Sequence, residues 1–166
     1  EWARIAVSNL TYVRKNRFVR PEHQDAVGVQ IGGRFDGSPI IVADGEPPAD
    51  IFPDTYNEYT PSGVPGGRAP HLWLDAERVQ GSSLYDRFGK GFTLLCLNAA
   101  AKKTEALECA ARQRGIPLTI LDLGLPEARE LYGRDLVLIR PDQYIAWRGD
   151  SLPDDVDALL ATVTGH

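Results

Sequence analysis

An α/β fold with a mixed central sheet is the expectation from three features of this 166-residue sequence. Two apolar runs, Phe92-Thr-Leu-Leu-Cys-Leu97 and Pro117-Leu-Thr-Ile-Leu-Asp-Leu123, bracket a helical pattern and so read as a strand-helix-strand crossover. Two further runs flank Pro141-Asp142 as a hairpin, and a last apolar stripe follows Pro153. The order β-α-β-α-β-β-α, with a mixed central sheet and helices on both faces, is that of a thioredoxin-like fold. An irregular N-terminal extension precedes it.

Taken in order, residues 2 to 13 place Trp2, Ile5, Ala6, Leu10 and Val13 at helical spacing, as one apolar stripe. Arg14-Lys15-Asn16-Arg17 and Arg20 follow. With no glycine-rich cradle or interleaved aromatics, this basic patch reads as a solvated helix end rather than a phosphate site. Residues 27 to 42 read as two short strands around a turn. The pair Gly32-Gly33 lacks the three-glycine fingerprint of a dinucleotide site. From Ala43 to Gly67 the chain is rich in Pro, Asp, Glu, Gly and Thr and reads as an extended connector.

The seam Pro65-Gly-Gly-Arg-Ala-Pro-His-Leu-Trp-Leu74 hands this extension over to the regular part, so the expected domains are 1–67 and 68–166. Beyond the first strand, residues 102 to 114 form a helix with Ala106, Leu107, Ala110 and Ala111 inward, ended by Gly115. Pro126 opens a short helix through Leu131, where a proline in the first turn loses no needed hydrogen bond. Asp135–Arg140 and Gln143–Trp147 are the hairpin strands. Val156, Leu159, Leu160 and Val163 are the stripe of the closing helix.

The formal net charge of -5 argues against a general nucleic-acid binder, which needs a positive field to gather phosphates. No apolar run approaches the roughly 20 residues that span a bilayer, and no signal-peptide pattern opens the chain. Two cysteines far apart in apolar surroundings suit a reducing compartment, so a cytoplasmic protein is expected. The sequence begins at Glu1 and contains no methionine, as a piece of a longer protein would.

Chemistry within the chain is sparse. Thioredoxin enzymes need a Cys-x-x-Cys at the end of the first strand, and that position reads Asn98-Ala-Ala-Ala101. Thr93-Leu-Leu-Cys96 resembles the Thr-x-x-Cys of peroxiredoxins without the matching proline. A free-standing thiol peroxidase or reductase using Cys96 is therefore the alternative reading, and a non-catalytic interaction module a third. His23, His71 and His166 have no ligand spacing, so no metal is expected. His71, beside Arg68, reads as a hydrogen-bonded structural group rather than a general base. Neither a Gly-x-Ser-x-Gly nor a phosphate-binding loop is present.

The seam, the following Ser83-Leu-Tyr-Asp-Arg-Phe-Gly-Lys-Gly-Phe-Thr-Leu-Leu95 and the late Leu138-Ile-Arg-Pro-Asp-Gln-Tyr-Ile-Ala-Trp-Arg148 resemble the C-terminal region of FAD-dependent aromatic-ring hydroxylases. These are flavoprotein monooxygenases of the phenol hydroxylase and 3-(3-hydroxyphenyl)propionate hydroxylase type. Gly33-Arg-Phe-Asp-Gly-Ser-Pro39 is similar to the segment closing their catalytic part. The resemblance implies a thioredoxin-like domain without the thioredoxin thiols, appended to a catalytic region that uses FAD, NAD(P)H and oxygen to hydroxylate a phenolic ring. It transfers no catalytic or cofactor-binding residue onto this chain, because the flavin fingerprints are absent here. The expected role is structural, with the FAD-binding catalytic region as partner and a second subunit as a further candidate. Arg34, Phe35, Arg68, His71 and Trp73 are the residues expected to face that partner.

Overall fold

The computed structural model describes residues 28, 31–47, 59–98 and 104–166. The helix read over 2–13, the basic patch at 14–20, His23 and residues 48–58 of the connector lie outside the described residues. Among the described residues four strands are formed: β1 (Phe92–Cys96), β2 (Leu118–Asp122), β3 (Leu136–Ile139) and β4 (Ile145–Gly149). Three helices accompany them within the described residues 59–98 and 104–166: α1 (Glu105–Gln113), α2 (Pro126–Tyr132) and α3 (Val156–Thr164). A 3-10 turn over Leu84–Arg87 precedes β1.

The sheet order is β2-β1-β3-β4. The β1-β2 pair is parallel, with Leu94 opposite Ile120, and β3 runs antiparallel to both β1 and β4. This is the thioredoxin-like arrangement expected from the element order. Alternation along each strand sends side chains to two faces and so builds two cores. Leu94, Cys96, Leu136 and Leu138 meet Leu107, Ala110, Ala111, Leu159, Leu160 and Val163 from α1 and α3. On the other face Leu95, Leu97, Val137, Ile139 and Ile145 meet Ala128 and Tyr132 of α2, with Leu84 and Ala69 closing the layer. Because both faces are covered, the strands read as continuous apolar runs rather than alternating ones.

Local chemistry sets the element ends. Pro126 occupies the first turn of α2, and Gly133, at φ 77°, ends it in the left-handed conformation that glycine adopts without strain. Asp155 caps α3 by accepting from the Ala158 N–H at 2.8 Å. The β3-β4 hairpin turns through Pro141-Asp142-Gln143, with Gln143 at φ 69° and its N–H bonded to the Arg140 carbonyl at 2.9 Å.

Three expectations are corrected. The described residues of 27–42, namely 28 and 31–42, form no strand. Residues 28 and 31 are helical, and the Ser38 and Ile41 N–H groups close turns onto Phe35 and Ser38. Gly37 at φ 72° and Pro39, which has no N–H to donate, break any ladder there. Ala106 is exposed, and the inner face of α1 is Leu107, Ala110 and Ala111. Cys109 is exposed on the same helix rather than buried; only Cys96 has the apolar surroundings expected of both thiols.

Candidate interdomain contact site

The seam takes its shape from a pair of glycines laid along the outer edge of β4. The Gly66 N–H bonds the Ile145 carbonyl at 2.8 Å, the Ile145 N–H bonds the Gly67 carbonyl at 2.9 Å, and the Ala69 N–H reaches the Gln143 carbonyl at 2.8 Å. Arg68 and Tyr144 form an isolated antiparallel bridge between these bonds. Residues 66–69 therefore cover an edge that would otherwise offer unpaired backbone groups.

Arg34 and Phe35 sit directly on this turn. The Phe35 N–H bonds the Gly66 carbonyl at 2.8 Å, and the Phe35 ring meets Tyr144 edge-on at 4.5 Å. Arg34 donates through Nη2 to the Pro65 carbonyl at 3.0 Å and pairs with Asp36 at 2.7 Å. A Cβ on Gly67 would stand 2.6 Å from Arg34 Nη1, and Gly66 adopts φ 88° with Asp36 alongside. Gly66 is thus required by its left-handed backbone, whereas at Gly67 a side chain would have to displace the end of Arg34.

Beyond the turn, two phenols hold the chain by its carbonyls. Tyr85 donates to the Ala69 carbonyl, and Tyr132 donates to the Pro70 carbonyl at 2.6 Å. Arg68 lies over the Tyr85 ring, 5.6 Å from its centre, and donates through Nη2 to Gln143 Oε1 at 2.7 Å. Its Nε is buried with no acceptor. Burial raises the Tyr132 phenol far above its ordinary value and also raises Tyr59 and Tyr85, since the charged phenolate would lose its water.

His71 joins the outer end of this cluster. Its Nε2 lies 3.0 Å from Ser83 Oγ, and its ring meets Trp73 at 4.8 Å and Tyr85 at 5.4 Å, both edge-on. Ser83 also caps the 3-10 turn, accepting from the Tyr85 N–H at 3.1 Å while Asp86 returns a bond to the Ser83 N–H. Trp73, bridged to Ser83, is left 44% exposed, and Val79 on the same hairpin is 49% exposed.

The residues singled out from sequence therefore fall into one continuous surface in two parts. Arg34 and Phe35 are half-buried against the seam itself, whereas His71 and Trp73 are exposed and are linked to Arg68 through the Tyr85 ring. Sequence reasoning missed Tyr85, Tyr132 and Gln143, which orient the cluster. Their partners lie 16, 62 and 75 residues away, so no local spacing reveals them.

A second group was also unforeseen. Arg148, only 4% exposed, donates to Asp44 at 2.5 Å, to Glu46 at 2.6 Å and to the Tyr132 carbonyl at 2.7 Å. Val42 adds a backbone bond to the Ala146 carbonyl at 2.8 Å. Residues 42–46 are thereby fastened to β4.

Little here suits a flavin. The Gly66 and Gly67 N–H groups are committed to the Ile145 and Val64 carbonyls, and the space beside them is filled by Arg34 and Asp36. At Gly32 the N–H bonds the Gly28 carbonyl at 2.9 Å. None of these amides is available to cradle a pyrophosphate, so the glycine pairs do not fit FAD. Cys96 is 1% exposed inside β1, out of reach of a dissolved peroxide. Among the described residues no cluster of three metal-ligating side chains occurs, and no helix is long and apolar enough to cross a membrane.

Comparison with known proteins agrees with this architecture. The family described as aromatic-ring hydroxylase, C-terminal, matches residues 62–166. The FAD-dependent monooxygenase apdD of Emericella nidulans is 36% identical over 154 residues, covering 86% of this chain and 23% of that protein. A 2,4-dichlorophenol 6-monooxygenase of Cupriavidus pinatubonensis is 34% identical, with 79% and 24% covered. Among solved structures, the rebeccamycin biosynthetic enzyme RebC with reduced flavin superposes with a TM-score of 0.70 at 38% identity, over 85% of this chain and 24% of that one. The flavin-dependent monooxygenase PieE in complex with FAD and substrate gives 0.71 at 30% identity, over 85% and 26%. The chain spans about a quarter of the length of these relatives. With the family matching most of its length, this chain belongs to the aromatic-ring hydroxylases and carries their C-terminal, thioredoxin-like region.

Proposed function

We propose that this chain is the C-terminal domain of an FAD-dependent monooxygenase that hydroxylates a phenolic or other aromatic substrate with NAD(P)H and oxygen, and that its own residues serve structure rather than chemistry. The observation that carries the reading is the family match over residues 62–166, beside which the N–H groups of Gly32, Gly66 and Gly67 are already bonded within the chain. The flavin belongs to the preceding region, and the domain packs on that region through Arg34, Phe35, Arg68, His71 and Trp73, with a second subunit as a further surface to which it contributes. The domain boundary lies near residue 67, and the tail before it is held to β4 by Arg148 and its two carboxylates. The reading places the enzyme in the cytoplasm, where exposed Cys109 stays a thiol.

The test is a flavoprotein assay on the full-length protein that carries this segment. It should be yellow and should oxidise NAD(P)H in a phenol-dependent manner with hydroxylated product formed. Truncation before residue 59 should leave the flavin bound while weakening thermal stability. A full-length protein that binds no flavin would overturn the proposal. In the same protein, Arg68→Ala and Trp73→Ala should loosen domain docking and uncouple NAD(P)H oxidation from hydroxylation. Unchanged stability and coupling in both would remove the docking role.

A further inference from the structure

Arginines in this domain follow a rule with one exception. Those that are not exposed, Arg34, Arg129, Arg134, Arg140 and Arg148, each hold a carboxylate: Asp36, Asp135, Asp150, Asp142 and Asp44 respectively. Arg68 is half-buried and, among the described residues, makes no ion pair. Its contacts are neutral: the Gln143 amide oxygen and the face of Tyr85. The Tyr85 hydroxyl proton is given to the Ala69 carbonyl, and Arg68 Nε has no acceptor at all.

A guanidinium withdrawn from water without a counter-charge is costly, and a planar carboxylate is the group whose geometry matches its fork. From Arg68 the rings of Tyr85 and His71 lead in turn to Trp73, 44% exposed, so that an arginine and an exposed tryptophan belong to one aromatic cluster, residue types that dominate the centres of interfaces. Residues 34–36 and 65–67 already close the inner side of the seam, so the open side is the one bearing His71 and Trp73.

Resting on the docking role proposed above, we infer that Arg68 is the receptor for an aspartate or glutamate side chain of the flavin-binding region that precedes this domain. The carboxylate supplies the counter-charge that the seam lacks, and Trp73 packs against apolar surface next to it. The occupant is that region rather than a second copy because about three quarters of the relatives' length lies outside this chain. The family match also places this chain at the C-terminal end.

The experiment uses the full-length protein with Arg68→Lys. A water-soluble carbodiimide condenses an amine with a touching carboxylate, forming an amide while the carboxyl oxygen leaves as the urea. The expected product joins position 68 to an Asp or Glu upstream of this chain, and arginine in the unaltered protein gives none. A link only to a carboxylate within residues 1–166, in the same or another copy, overturns the inference. An arm without substitution protects against misfolding of the variant: Arg68 should resist phenylglyoxal in the full-length protein and react in the 166-residue chain, and equal reactivity overturns the inference. Oxidative labelling of Trp73 separates the two claims. Labelling that falls several-fold in the full-length protein, with no upstream cross-link, leaves the docking role standing and removes the carboxylate. Labelling that does not fall removes both.

Discussion

At the scale of single residues the structure is governed by a few side chains whose polar atoms are fully used. Arg148 spends Nε, Nη1 and Nη2 on three different acceptors, a division that a lysine ammonium on one flexible stem cannot reproduce. Arg148→Met strands the buried Asp44 carboxylate, itself 8% exposed, and should lower unfolding stability by about 3 kcal/mol in a denaturant titration. Arg148→Lys should recover only part of it. A loss below a few tenths of a kcal/mol for the methionine variant would show that the ion pairs are idle. Glycines make the complementary point. A Cβ on Gly63 would land on the Tyr132 backbone carbonyl, which cannot retreat, whereas at Gly67 it meets the far end of the Arg34 side chain, which can. Gly63→Ala should therefore cost about 1–3 kcal/mol, in the range of overpacked sites, and Gly67→Ala distinctly less. The reverse order would contradict the packing described.

At the scale of elements, the strands were legible because a strand buried on both faces is largely apolar, and Gly91 opens Phe92–Cys96 while Asp135 and Arg140 bound Leu136–Ile139. Residues 27–42 misled because Val-Gly-Val-Gln-Ile imitates a two-residue alternation. The N–H groups of Gly32, Ser38 and Ile41 instead close local turns, and those of Phe35 and Val42 reach Gly66 and Ala146, separations that a local pattern does not record. Ala106 misled for a similar reason, since alanine suits either side of a helix and only the neighbouring α3 decides which side is covered.

The tyrosines that pin the seam give the elements a pH signature. Tyr132 and Tyr85 are held neutral by burial, so their folded pKa values lie above the ordinary 10.0. Their contribution to stability is intact below about pH 10 and is lost as pH rises from there towards the folded values, because the unfolded chain releases those protons first. Denaturation midpoints should fall with pH above about 10, and Tyr132→Phe should flatten that slope. The same variant leaves the Pro70 carbonyl without its donor, at a cost of about 1–3 kcal/mol at neutral pH. An unchanged slope in the phenylalanine variant would assign the alkaline sensitivity elsewhere.

At the scale of the whole molecule, the domain is complete in its core yet unfinished at its surface. Both faces of the sheet are covered by its own helices, while Trp73 and Val79 project from one hairpin and Arg68 makes no ion pair among the described residues. The grouping of Arg68, His71 and Trp73 could be read from a short Pro- and Gly-punctuated stretch. Their support by Tyr85, Tyr132 and Gln143 could not, being a product of the fold. The absence of thioredoxin thiols was visible at Asn98 and is matched by the burial of Cys96. On the proposed reading the chemistry lies in the preceding region, so the central claim is tested on the full-length protein. The direct measurement is native mass spectrometry of the protein captured from its source with an antibody against residues 62–166, with its absorbance recorded. The account predicts a yellow species roughly four times the length of this chain, since relatives of this kind are covered to about a quarter, with one FAD released per polypeptide on denaturation. A colourless species of this chain's own mass would contradict it.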